Sequence, residues 1–347
     1  MISRKQKYSL WFLALMLLMI SLFFLNLILG SVIIPFQESI KTLFTSQNVD
    51  NTYRLIILKS RLPQALTAIF AGAALSVGGL IMQTYFRNPL ADPSVLGISA
   101  GASLGVAILF LIPGLSLTTG LFSGFYMQNF TIITAALIGS AGILFAIILF
   151  SSFISNYVML LVLGIMISAM AGSFIGILQV FAGSEEVHGF AIWGLGSFSS
   201  VSIPQQKIFI PAILIGLLFS ILLVKPMNVL LLGENQAKSL GINIRKTRLH
   251  ILLTVGFLTA IVTAYCGPIA FLGLAVPHLA RLFFRTSNHA ILIPAVMIIG
   301  AVLSLITILI AKLPGFNGSL PVNVVTALFG APIVIWIILS RSKTQDL

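Results

Sequence analysis

Residues 129–182 read NFTIITAALIGSAGILFAIILFSSFISNYVMLLVLGIMISAMAGSFIGILQVFA, and this stretch contains no Asp, Glu, Lys or Arg. A short polar break at residues 152–156 divides it into two apolar runs, each slightly longer than the roughly 20 residues with which a helix crosses a hydrocarbon core. Similar runs recur from residue 8 to residue 340. The pattern predicts an all-α integral membrane protein, because lipid permits only helices or closed barrels and a barrel's alternating pattern is absent.

Composition leads to the same fold class. Apolar residues make up 59% of the chain and charged residues 7%, whereas about a quarter of the residues in a soluble domain are charged. The N-terminal MISRKQK precedes an apolar run that is too long for a signal peptide, which predicts a retained first span. The single Cys266 excludes an intrachain disulfide. The net charge of +12 is scattered through short loops, which favours membrane topology over nucleic-acid binding.

Breaks at polar, Gly-rich or Pro-rich points predict a single transmembrane domain over residues 1–347, a polytopic bundle of about ten helices. The weakest boundary is Gly267-Pro268, where proline favours a helix start, so nine or eleven spans remain open. The predicted spans are 8–34, 62–82, 94–113, 129–151, 157–182, 206–224, 249–266, 268–284, 291–312 and 322–340.

The distribution of basic residues predicts the orientation. With the N-terminus inside, thirteen of the nineteen Lys and Arg residues lie on the cytoplasmic side and six lie outside, as the positive-inside rule expects. Both termini and residues 225–248 are then cytoplasmic.

The polar residues exclude several functions. No carboxylate lies within a predicted span, which argues against a proton- or sodium-driven carrier. The chain has no phosphate-binding GxxxxGK[ST] loop, no metal-ligand spacing and no paired acid and base. It is therefore not expected to be an enzyme or to hold a cofactor or metal, and any ATP energy must come from a partner.

Local patterns predict three structural features. Gly97, Gly101 and Gly105 lie four residues apart and predict close helix packing. Asp92 is predicted to cap the next span and Pro93 to start it. His278, just after Pro277, is predicted to make a structural hydrogen bond rather than to bind a ligand.

The segment GENQAKSLG (233–241) is an isolated charged helix in a predicted cytoplasmic loop, 225–248. Glu234 suits the first turn, Lys238 the last, and Gly241 a C-terminal stop. Ala237 and Leu240 form a small apolar stripe. A helix of about two turns is unstable alone, so it is expected to dock on this chain's own spans or on a partner.

Five pieces of sequence together resemble one family. They are RLPQ (61–64), GAALSVGGLIMQTYFRNPLADPSVLGISAGAS (72–103), GENQAKSLGIN (233–243), GPIAFLGLAVPHLARL (267–282) and LPVNVVTALFGAPIVIWIIL (320–339). The chain resembles, over nearly its whole length, the permease subunits of bacterial ABC importers for iron–siderophore, haem and vitamin B12.

This resemblance implies a homodimer in the bacterial cytoplasmic membrane, two ATP-binding subunits that hold ATP and Mg, and an extracytoplasmic substrate-binding protein. It implies import of an iron chelate or corrinoid by alternating access; an ATP-independent carrier or channel is the alternative. By the same resemblance, Gly233, Glu234, Ala237, Lys238, Leu240 and Gly241 form the segment that couples to the ATPase. Arg61 and Lys312 match positions that dock the binding protein, while Gln64 departs from an arginine often found there.

Overall fold

The computed structural model describes residues 4–30, 32–44, 50–112, 125–154, 156–312 and 320–345, and in these ranges the regular structure is helical. The helices are α1 Arg4–Ile28, α2 Phe36–Phe44, α3 Asn51–Ile56, α4 Leu62–Tyr85, α5 Ile98–Leu111, α6 Phe125–Phe153, α7 Tyr157–Phe181, α8 Ser184–Gly194, α9 Ile203–Leu222, α10 Val224–Leu230, α11 Glu234–Ser239, α12 Ile244–Cys266, α13 Leu272–Phe284, α14 His289–Ala311 and α15 Val322–Gln345.

Among the described residues, seven helices are long and apolar enough to cross a membrane. They are α1, the continuous helix Asn51–Tyr85 that contains α3 and α4, and α6, α7, α9, α12 and α14. Each predicted span corresponds to a helix, which confirms the polytopic helical bundle. However, α5 and α13 have 14 and 13 residues, or about 20 Å of length, which is too short to cross a core of about 30 Å alone.

Three helices form the centre of the bundle. In the most apolar stretches of Asn51–Tyr85, α12 and α14, 83%, 78% and 67% of the residues are buried, against 17–33% in α1, α6, α7 and α9. The outer helices therefore present apolar faces to lipid or to another chain.

Glycines let the helices approach closely. A Cβ on Gly79 of α4 would lie 1.7 Å from the Gly273 carbonyl oxygen of α13, and one on Gly105 of α5 would lie 2.1 Å from the Ala135 oxygen of α6. Gly101 packs in the same way on Gly139. The prediction of helix packing is confirmed for Gly101 and Gly105, whereas Gly97 precedes α5 in a left-handed conformation (φ +79°).

The predicted helix start at Pro268 is wrong. Gly267, just after α12, has a φ of +74°, and the chain stays irregular as far as Phe271. Phe271 has a φ of +70° and directly precedes Leu272, the first residue of α13. The Ser197 amide donates to the Cys266 carbonyl, at 2.7 Å, and the Ala270 amide donates to Asn323 Oδ1, at 3.1 Å. These bonds satisfy the last carbonyl of α12 and one amide of the irregular segment through partners outside any helix.

The prediction for His278 is confirmed, and that for Asp92 is confirmed in part, because Asp92 caps a short 3₁₀ turn while the span helix α5 begins only at Ile98. Asp92 caps a 3₁₀ turn, Pro93–Leu96, because its Oδ1 accepts hydrogen bonds from the Ser94 amide (2.9 Å) and hydroxyl (2.6 Å). The ring of His278 lies 2.9 Å from the Pro89 carbonyl oxygen, so it joins α13 to the α4–α5 connection.

Candidate coupling segment and docking residues

The segment around α11 is a compact unit whose two glycines turn the backbone. Gly233 has φ +116° and Gly241 has φ +82°, values that L side chains rarely adopt. The Gly241 amide donates to the Lys238 carbonyl and the Ile242 amide to the Ala237 carbonyl, both at 3.0 Å. This pair of bonds is a Schellman motif, and it confirms the predicted stop at Gly241.

The charges of α11 lie at the predicted ends of the helix. Glu234 is in its first turn and Lys238 in its last, where they complement the helix dipole. They do not form an ion pair with each other; in the described part of the chain the salt bridge found is Lys41–Glu38. Instead, Glu234 Oε1 accepts a hydrogen bond from the hydroxyl of Tyr157, the first residue of α7.

The predicted apolar stripe is wrong in one of its two residues. Ala237 is fully buried in this chain's main apolar core, against which Ile242 packs. The Schellman motif explains this, because it brings Ala237 and Ile242 to the same side of the turn. Leu240 is 61% exposed, and Leu231 and Leu232 just before α11 are exposed as well. The exposed apolar surface at α11 is therefore formed by these three leucines.

A polar groove runs beside α11. Its cavity of about 520 Å³ is lined by Ser151, Ser152, Glu234, Lys238, Gly241, Ile242, Asn243, Ile244, Arg245 and Arg248. Arg248 Nη1 donates to the carbonyl oxygens of Ser151, at 2.9 Å, and Ile154, at 2.6 Å, at the end of α6. On the other side of α11, Arg87 Nη2 donates to the Leu230 carbonyl at 3.2 Å. Sequence reasoning missed Tyr157 and the carbonyl-binding role of Arg248, because neither belongs to a recognisable spacing.

Arg61 is not available to a docking partner, so that prediction is wrong for the conformation described. Its side chain is 4% exposed, and its guanidinium donates to the carbonyls of Leu27 and Ile28, each at 2.7 Å, and to that of Val32. A Cβ on Gly30 would lie 2.8 Å from Arg61 Nη2. Arg61 therefore caps the C-terminus of α1, whose last carbonyls have no partner within the helix.

Lys312 lies at the same end of the bundle, just after α14. It is half-buried, and burial, together with the positive charge of Arg61, lowers the pKa of Lys312 to about 8. The exposed cations nearest in sequence to Arg61 are Arg54 and Lys59.

No metal site is formed by the part of the chain described. Within those ranges, no three His, Cys, Asp or Glu side chains come close enough to share an ion. The His289 ring instead lies 2.9 Å from both Thr84 Oγ1 and Asn228 Oδ1, which ties α14 to α4 and α10.

The sequence matches the FecCD transport family over residues 17–340. The chain belongs to that family. A similar relative is the hemin transport system permease protein HmuU of Yersinia pestis, 34% identical over 313 residues, which cover 89% of this chain and 90% of that protein. The vitamin B12 import system permease protein BtuC of Klebsiella pneumoniae is 34% identical over 290 residues, 84% of each chain.

A solved structure has the same architecture. It shows an inward-facing conformation of a transporter assigned to the metal-chelate type of ABC transporter, with a TM-score of 0.82 and 26% identity over 96% of this chain and 99% of that one. Membership of the FecCD family makes this chain a multi-pass permease of the ABC importer type. It does not favour an ion-driven carrier or a channel.

Proposed function

We propose that this permease imports an iron chelate (a siderophore complex or haem) or a corrinoid, using ATP that is hydrolysed on two separate ATP-binding subunits. The observation that carries the proposal is α11. This six-residue helix stands between glycines at positive φ, and the residues next to its two ends include the exposed Leu231, Leu232 and Leu240. Because so short a helix gains little stability alone, an exposed apolar surface on it is best explained by a docked partner.

The orientation follows from charge. Arg87, Lys238, Arg245, Arg248 and Arg285 belong to the α11 end of the bundle or to its connections, and basic residues concentrate on the cytoplasmic side. The α11 end and both termini are then cytoplasmic, and the Arg61 end faces outward. ATP and Mg would bind to the partner subunits, since this chain lacks a phosphate-binding loop.

At the outer end, a substrate-binding protein would meet exposed cations. Arg54 and Lys59 are exposed there, whereas the Arg61 guanidinium is hydrogen-bonded to the end of α1. Several spans are little buried within this chain; in the most apolar stretch of α7, 17% of the residues are buried. These spans leave apolar surface for a second copy of the permease and for lipid. The homodimer would enclose a path that opens alternately to the two sides of the membrane as ATP binding displaces α11.

The ATPase contact can be tested by changing its exposed leucine. Leu240→Asp places a charge on the contact surface without touching the core, so it should abolish co-purification of vanadate-sensitive ATP hydrolysis with the tagged permease. The matched control is Leu320→Asp at the opposite end, where Leu320 is also exposed. Wild-type amounts of ATPase on the Leu240 variant would contradict the proposal.

The cargo can be tested in proteoliposomes that contain the permease, its ATP-binding subunits and its binding protein. Uptake of radiolabelled ferric siderophore, hemin and cobalamin would be compared with ATP inside the vesicles. We expect ATP-dependent uptake of one of these metal chelates. Uptake of none of them, with ATP hydrolysis intact, would refute the cargo class.

A further inference from the structure

Three hydrogen bonds hold the α6–α7 turn to α11 and to the helix that follows it, α12. On one side, the Tyr157 hydroxyl at the start of α7 donates to the Glu234 carboxylate at the start of α11. On the other side, Arg248 of α12 donates to the Ser151 and Ile154 carbonyls at the end of α6. The turn between α6 and α7 is therefore held at its end by the first residue of α11 and at its start by Arg248 of α12.

These bonds are of the stronger kind. Each joins a charged group to a hydrogen-bonding partner, and such bonds are roughly twice as strong as neutral ones. The Tyr157 ring also packs on Tyr85 in a T-shaped pair, with the ring planes at 90° and the ring centres 5.0 Å apart. This contact orients the Tyr157 hydroxyl toward Glu234, so the hydrogen bond joins the first residue of α7 directly to α11.

The helix that begins at Tyr157 is the least enclosed of the candidate spans. Only 17% of its most apolar stretch is buried, against 83% in the Asn51–Tyr85 helix. In its first half, Gly164 packs closely against the backbone of Val95 and Leu96. Because α7 shares little buried surface with the rest of this chain, moving it disrupts less packing than moving a central helix would.

We propose that the Tyr157–Glu234 hydrogen bond, supported by Arg248, transmits the displacement of α11 to α7. Tyr157 is then a positioning residue that links the ATPase-docking helix to a transmembrane span. The inference rests on the proposed function, since it requires a partner that moves α11. It assigns to Glu234 a role within this chain, in place of a contact with the ATPase.

The test is the ratio of substrate imported to ATP hydrolysed, measured in the proteoliposomes described above. Tyr157→Phe removes the hydroxyl and keeps the ring on Tyr85. We expect ATPase retention and ATP hydrolysis to persist while the ratio falls about tenfold, the effect of losing one bond to a charged group. Tyr53→Phe, a half-buried tyrosine at the other end of the bundle, is the matched control and should leave the ratio unchanged.

A second variant separates the link from a folding effect. Glu234→Gln keeps a hydrogen-bond acceptor but removes its charge, so we expect the import-to-hydrolysis ratio to fall less than in Tyr157→Phe. The double variant should lower that ratio no further than Tyr157→Phe alone, because both changes remove the same interaction. A wild-type ratio in Tyr157→Phe, or a fully additive loss in the double variant, would overturn the link. If the wild-type complex itself shows no ATP-dependent uptake, the proposed function fails instead.

Discussion

Replacing Arg61 with Met should destabilise the permease itself rather than weaken its docking to a binding protein. The guanidinium is buried and donates to the Leu27, Ile28 and Val32 carbonyls. Methionine fills part of the volume of the arginine stem but offers no donor. The Leu27 and Val32 carbonyls would then lose the donor that Arg61 supplies, while the Ile28 carbonyl would keep the hydrogen bond from the Ile34 amide.

The expected loss can be worked out from these bonds. Hydrogen bonds to a charged group contribute about 1.5–3 kcal/mol each, and removing the charge also removes the cost of burying it. We therefore expect a net loss of about 3–5 kcal/mol. With an unfolding entropy of about 2.1 cal/mol/K per residue over 347 residues, this corresponds to a midpoint lowered by about 4–7 °C.

The chain contains its own reporter for this measurement. Cys266 is its single cysteine and is buried, so a thiol-reactive dye becomes fluorescent only as the bundle opens. The matched control is Lys59→Met, since Lys59 lies in the same π-helical turn, Ile57–Arg61, and is exposed. Lys59→Met should leave the midpoint unchanged and weaken binding-protein docking at low salt. A normal midpoint in Arg61→Met, with docking lost, would refute this assignment and restore Arg61 as a docking residue.

Three further predictions follow from single positions. Burial, together with the charge of Arg61, lowers the pKa of Lys312 to about 8, so at pH 7 the charged amine destabilises the folded state. Lys312→Met should therefore raise the dye midpoint at pH 7. The difference from wild type should shrink as the pH approaches 10, because the amine of the folded protein is then neutral. Gly79→Ala should prevent stable packing of α4 on α13, whereas Gly142→Ala, which meets nothing within 4 Å, should leave the midpoint equal or higher. Gly241→Ala would force a side chain into a φ of +82°, with a strain of about 1–2 kcal/mol. It should reduce ATPase retention while the dye midpoint stays within about 3 °C of wild type.

The sequence predicted those features whose cause is local. Apolar runs longer than a bilayer is thick define helices directly, because lipid leaves the backbone no other partner. The stop at Gly241 was also predictable, since a glycine after a short helix commonly ends it in the left-handed conformation. Asp92 before Pro93 was likewise read correctly as a cap.

The features that sequence reasoning missed depend on contacts between distant residues. Arg61 bonds to carbonyls 29–34 residues earlier in the chain, and a cation near a predicted outer loop carries no mark of such a contact. Ala237 and Leu240 share a helical face by spacing alone, but the Schellman turn buries the first and exposes the second. Tyr157 gave no signal at all, because its partner Glu234 is 77 residues away.

Arginine has a common structural role at three places in this permease. Arg61 donates to the last carbonyls of α1, Arg248 to those at the end of α6, and Arg87 to Leu230, the last residue of α10. Helix C-termini carry unpaired carbonyls and the negative end of the dipole, and both are most costly where water is scarce. A planar cation with several donors satisfies them in a way that lysine cannot.

If the proposed topology holds, this role also explains why Arg61 is tolerated on the outer side of the membrane, where positive charge is disfavoured. The proposed topology places it outside, against the trend of the other arginines, yet its bonds to α1 stabilise the fold wherever the residue lies. An arginine in such a chain is thus informative about topology only after its hydrogen bonds are known. Arg61→Lys should accordingly behave like a partial loss of the cap, with a dye midpoint between those of wild type and Arg61→Met, although the net charge of the outer face is unchanged.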